Sequence, residues 1–170
     1  QQVSHDLGSK PGILIIKRTD ASGDWWVFTD VIDGSNDYSY LNGTNAFGSS
    51  SNNAATDTVF SVGGALNTSG ATYIAYLFAN ETGADSMIQC GTYTNSSSGI
   101  EVNLGFEPQW LLIKNADGST DWRIHDVMRG LILGDNAITL RANNAGDEQT
   151  NAAISLNANG FSFPNEGSDQ

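Results

Sequence analysis

Positive charge is scarce in this sequence. Its 170 residues hold 7 Lys+Arg against 19 Asp+Glu, a formal net charge of −12. A surface this acidic repels phosphate, which excludes non-specific nucleic-acid binding and attraction to an anionic leaflet. Cysteine is nearly absent: Cys90 stands alone and cannot form an internal disulfide. Long apolar runs are missing as well. The longest, Ile13-Leu14-Ile15-Ile16, is far too short for a membrane-spanning helix. No basic stretch followed by an apolar run opens the sequence, so no secretory signal is visible in it. No stretch keeps a 3.6-residue period for three turns, which removes long amphipathic helices. Walker, Rossmann, zinc and haem signatures are absent too. What is abundant is small and polar: 19 Gly, 18 Ser, 17 Asn and 13 Thr, with 39% apolar residues including 16 aromatics. That apolar content supports a folded core and excludes a disordered acidic tail.

The sequence repeats itself. Leu7-Gly8-Ser9-Lys10-Pro11 through Lys17 aligns with Leu104-Gly105-Phe106-Glu107-Pro108 through Lys114 at an offset of 97, and Asp20, Ser22, Asp24 and Trp25 fall on Asp117, Ser119, Asp121 and Trp122. Ten of 24 positions are identical over residues 7–30, against about one or two by chance. Looser matches follow: Leu41 with Leu140, Asn45-Ala46 with Asn144-Ala145, and Phe60-Ser61-Val62 with Phe161-Ser162-Phe163. The period is too long for a solenoid and indicates a duplicated, domain-sized unit.

Short apolar runs between Gly/Asn/Asp/Ser clusters predict antiparallel strands. They fall at 12–18, 24–30, 38–41, 58–62 and 72–79, then at 86–94, 99–104, 109–115, 121–126, 137–142, 152–157 and 160–163. The expected fold is all-β: two tandem repeats of an antiparallel β-sandwich or jelly-roll-like unit, residues 1–85 and 86–170. Each copy lacks a strand that the other has. Gly91-Thr92-Tyr93-Thr94 has no counterpart before residue 1, and Thr72–Ala79 has none after Gln170. The expectation is that the natural polypeptide is longer, or that a neighbouring chain supplies these strands by exchange.

Strand side chains alternate between faces. Trp25 and Val27 share a face with counterparts Trp122 and Ile124, apolar in both copies, so that face is assigned to the core. The opposite face carries Trp26 and Phe28 in the first copy but Arg123 and His125 in the second. Trp26 and Phe28 are therefore expected to pack outside their own sandwich, at a junction between copies or against another chain.

Few constellations suggest chemistry. Asp20/Ser22/Asp24 and Asp117/Ser119/Asp121 place oxygens at alternate positions, as calcium loops do, but lack the EF-hand glycine and final glutamate. Asp20, Asp24, Asp117 and Asp121 are candidate weak calcium ligands, with an Asx-capped hairpin as the plainer reading. His125 and Asp126 are adjacent in a strand, so they point apart and cannot orient one another as a catalytic pair. Trp25, Trp26, Trp110 and Trp122 could build a glycan platform, although tryptophan in so small a sandwich is more often core. No nucleophile–base pair has supporting spacing, so no catalytic residue and no obligatory cofactor are expected.

Taken in order, these motifs form a recognisable set. Val3-Ser4-His5-x-Leu7-Gly8-x-x-Pro11, Asp24-Trp25, Asn67 through Ala79, Gly91-Thr92-Tyr93-Thr94, Leu104-Gly105-Phe106-x-Pro108-x-Trp110 and Trp122-x-Ile124-x-Asp126 together resemble an uncharacterised repeated β domain of tailed-phage virion proteins. The resemblance implies a non-enzymatic structural protein of an extracellular particle, in a tail fibre or at the surface, giving rigid β modules for assembly or host attachment. Its implied partners are other copies of itself, other virion proteins or a host-surface glycan, with neither nucleic acid nor membrane insertion. A carbohydrate-binding, lectin-like jelly-roll module, free or fused to an enzyme, is the alternative.

Overall fold

A computed structural model describes residues 1–51, 53–81, 85–131 and 137–164. The chain is all-β, built from antiparallel sheets, with two single 3-10 turns at Gly64–Leu66 and Val127–Arg129 among the described residues. It divides into two compact units. The first holds the described residues up to Thr92 together with Ala116–Thr120, and the second holds Tyr93–Asn115 and those from Asp121 onward.

In the first unit, Pro11-Gly12 leads the apolar run into the long strand β2. The strands are β1 (Gln2–Ser4), β2 (Pro11–Arg18), β3 (Trp25–Thr29), β4 (Asp37–Tyr40), β5 (Gly48–Ser49), β6 (Val59–Ser61) and β7 (Tyr73–Ala79). One sheet has the order β5-β4-β3-β2-β7, and β1 pairs with β6 in a separate ribbon. Leu14, Ile16 and Phe28 from the sheet meet Phe60, Val62 and Leu66, with Val3, Trp26, Tyr38, Ala75 and Leu77 packed around them. A ring buried as fully as that of Phe28, 2% exposed, stabilises the fold by about 1.5–3 kcal/mol.

The second unit contains β8 (Ile100–Asn103), β9 (Trp110–Ile113), β10 (Arg123–Asp126), β11 (Ala137–Arg141), β12 (Gln149–Ala152), β13 (Ser155–Asn157) and β14 (Gly160–Phe163). Its sheets run β12-β11-β10-β9 and β13-β14-β8. Leu111, Leu131, Ala137, Ile154, Leu156, Phe161 and Phe163 form its core. At Gly160 a Cβ would come 1.9 Å from the Val102 carbonyl oxygen, so only glycine lets β14 approach β8 there.

Pairing in the two units follows one pattern. Ile16 faces Trp26 and Leu14 faces Phe28; Ile113 faces Arg123 and Leu111 faces His125, each 97 positions later. Beyond this hairpin the spacing becomes 101. Trp26 faces Tyr40 and Arg123 faces Arg141, while the Ala55–Phe60 bridge matches Leu156–Phe161. The sequence matches of Leu41 with Leu140 and of Asn45-Ala46 with Asn144-Ala145 are therefore two residues out of register. Gly8 and Gly105 both take positive φ, +84° and +80°, at the turn that leads towards β2 and β9.

Two strand expectations need correction. No strand forms over residues 86–94: the Cys90 N–H donates to Asn80 Oδ1 at 3.2 Å, and Met87 is 87% exposed. The strand that precedes the Leu104-Gly105 turn is β8 instead, and β1 takes the same place before Gly8. Val3–Phe60 and Val102–Phe161 are matching pairs. Among the described residues, no strand lies on β9 where β7 lies on β2.

Candidate functional site

The inner face of each main sheet carries the side chains that differ most between the units. In the first, Trp26, Phe28, Tyr38 and Tyr40 form a continuous aromatic cluster. Trp26 stacks on Phe28 and Tyr38 with centroids 6.0 and 5.4 Å apart, and meets Tyr40 edge-on at 4.7 Å. Such offset and edge-to-face contacts add to the stabilisation from burial. This reverses the expectation for Trp26 and Phe28. Phe28 belongs to the core of its own unit, and half-buried Trp26 packs against that core. Parity misled because β3 is buried on both faces: Val27 is 0% exposed and Phe28 2%. Trp25 lies on the Val27 face and stacks on Tyr76 at 6.3 Å.

At the matching positions the second unit carries Arg123, His125, Thr139 and Arg141. His125 is 1% exposed, and its Nδ1 lies 3.5 Å from the Thr139 hydroxyl. Burial lowers its pKa below the ordinary imidazole value, and the charge of Arg123 pushes the same way. Asp126 faces away from it. The Asp126 carboxylate accepts the Arg129 N–H at 3.0 Å, capping the 3-10 turn, and forms an ion pair with the Arg129 guanidinium. His125 and Asp126 therefore serve different elements.

The four loop aspartates are engaged as follows. Asp20 accepts Arg18 Nε and Nη2 at 2.8 and 3.1 Å, which brings its pKa down to about 2. Asp24 and Asp121 belong to a device that sequence reasoning missed. Asn42 accepts the Trp25 N–H at 2.8 Å and donates from Nδ2 to Asp24 at 3.0 Å. Asn143 does the same between Trp122 and Asp121, at 2.8 and 2.6 Å. Asp121 also accepts Arg141 Nη1 at 3.3 Å, and these donors hold its carboxyl below the usual range. Asp117 lies with Ala116–Thr120 in the compact body of the first unit. Among the described residues, no three His, Cys, Asp or Glu side chains converge as metal ligands.

The first unit also has an open cleft of about 660 Å³ between the β1–β6 ribbon and the β2/β7 side of its sheet, with Ile16, Phe60, Val62 and Leu77 among its walls and His5 and Thr68 among its polar groups. The size suits a small ligand. His5 is already engaged: its Nδ1 accepts the Leu7 N–H at 3.3 Å and its Nε2 faces the Thr56 carbonyl at 3.1 Å. Three aromatics elsewhere are exposed, Trp110 at 50%, Tyr76 at 42% and Tyr93 at 38%, whereas Trp122 is a core residue at 2%.

The profile of a domain of unknown function, DUF7483, matches residues 1–170, and the chain belongs to that family. No curated protein and no solved structure matches it.

Proposed function

We propose that this DUF7483 chain is a non-enzymatic structural module of a tailed-phage particle, in a tail fibre or at the surface, where its paired β units support assembly or host attachment. The observation that carries the reading is how its reactive side chains are used. His125 sits beside Thr139, Asp126 caps a turn, Asp20 pairs with Arg18, and Asp24 and Asp121 clasp asparagines. These bonds fix backbone and loops, the work of a scaffold rather than of an acid–base pair. The resemblance of the ordered motifs to repeated virion β domains supports the same reading. Partners are other copies, other particle proteins or a surface glycan, with no obligatory cofactor. Mass spectrometry of density-purified virions that encode the chain tests it. Peptides from both units are expected in washed particles. Their presence in the lysate but absence from particles would overturn the reading.

A carbohydrate-binding module is the second reading, favoured by the stacked Trp25–Tyr76 pair and the exposed Trp110. A glycan array run with and without chelator tests this second reading. Chelator-sensitive binding of one neutral glycan class by the isolated chain favours the lectin-like module.

A further inference from the structure

Arg123 and Arg141 stand directly opposite one another on β10 and β11. Like charges so placed repel, and the arrangement weakens the strand pair unless something compensates. The scaffold does not demand it, since the first unit puts Trp26 and Tyr40 in contact at the matching positions. One carboxylate answers the two guanidiniums: Asp121 accepts from Arg141 Nη1 at 3.3 Å. Among the described residues the Arg123 guanidinium has no hydrogen-bond or ion-pair partner, and the residue is half-buried. Its charge reaches the side chains of Asp121, His125 and Tyr93. In a chain with only 7 Lys+Arg and a net charge of −12, these two arginines stand face to face with one paired carboxylate among the described residues.

We propose that Arg123 and Arg141 form a seat for an oxyanion carried by a ligand from outside the chain, either a carboxylate or a sulfate. Arg123 supplies the planar fork that matches either group in a bidentate manner. Arg141, held by Asp121, closes the other side. Partial burial of the pair strengthens the attraction relative to open water. The shared chemistry fits an acidic sugar residue or a sulfate ester, and the inference stands whether or not the chain is a particle component.

The test uses the whole chain at constant ionic strength, titrated with sodium sulfate, sodium glucuronate and neutral glucose, and followed through the Arg123 Nε and His125 ring resonances. Saturable shifts are expected with sulfate, glucuronate or both, and none with glucose. The anion that binds identifies the source. Arg123→Gln is expected to weaken binding about tenfold or more, and Arg123→Lys several-fold, because it keeps the charge but loses the fork. Lys10→Gln, which removes the ion pair to Asp30 in the first unit, should bind as the parent does. Absence of any saturable shift in the parent chain would overturn the proposal, as would equal shifts with glucose. Undiminished binding in Arg123→Gln would also do so. Should that variant not fold, undiminished binding in Arg123→Lys would do the same.

Discussion

The two units hold the same hairpin register and the same asparagine clasp, yet face opposite ways chemically. Where the first stacks Trp26, Phe28, Tyr38 and Tyr40, the second sets Arg123, His125, Thr139 and Arg141. The difference separates what the fold requires from what it permits. Backbone pairing, the turn glycines and the Asp–Asn–Trp clasp recur, so they belong to the scaffold. On β3 and β4 against β10 and β11 the inner-face side chains do not recur, so those positions are free to carry either an aromatic cluster or charged groups. In the second unit Leu111, Phe161 and Phe163 keep the places of Leu14, Phe60 and Val62, and Leu131, Ile154 and Leu156 complete the core.

The sharpest way to break the comparison is to remove the aromatic side of it. Phe28→Ala should cost about 3–5 kcal/mol in urea unfolding, with the loss confined to a transition that carries the first unit. Gly160→Ala acts on the other unit by forcing β14 off β8. It should cost about 1–3 kcal/mol as strain and leave the first unit's transition in place.

The clasps allow a matched comparison. Asn143→Ala and Asn42→Ala each remove a bond from the tryptophan N–H and one to the aspartate. Each should cost about 1–2 kcal/mol by chemical denaturation. The Asn143 change should be the larger, because Trp122 is 2% exposed whereas Trp25 is half-buried.

Acidification acts on the second unit through His125. Burial holds its folded pKa below the ordinary imidazole value, so the unfolded chain binds the proton more readily. Stability contributed by the neutral ring is complete above pH 6.5 and lost as the pH falls through the folded value. His125→Phe, which restores the residue type of the first unit, should flatten that slope in a pH series of melting temperatures. The smallest effect is expected from calcium. Asp20 is taken by Arg18 and Asp24 by Asn42, so millimolar calcium should leave the melting temperature unchanged, and a clear rise would restore the loops as metal sites.

Much of this architecture is legible in the residues. The runs around Ile13–Ile16 and Thr72–Ala79 mark β2 and β7 to within a residue or two, because both are apolar stretches bounded by turn formers. The Gly48–Ser49 strand is not legible, since two small polar residues carry no periodicity. Residues 86–94 mislead in the other direction: Met87, Ile88 and Tyr93 look like a strand but pair with none. The inner-face assignment failed at β3, where alternation carries no information once both faces are buried. The clasp stayed hidden because four extra residues between β10 and β11 move Asn143 off the diagonal that aligns Trp25 with Trp122. His125 and Asp126, by contrast, point apart as strand alternation dictates.

The claim that the inner face is an interchangeable surface on a fixed scaffold is tested most directly by a graft. Arg123→Trp combined with Arg141→Tyr places the first unit's pair on the second unit's strands. The melting temperature should hold or rise, because a repelling pair is replaced by an aromatic contact, and the response to sulfate and glucuronate should vanish. A folded graft that still responds to the anions, or a second unit that no longer folds, would contradict the account.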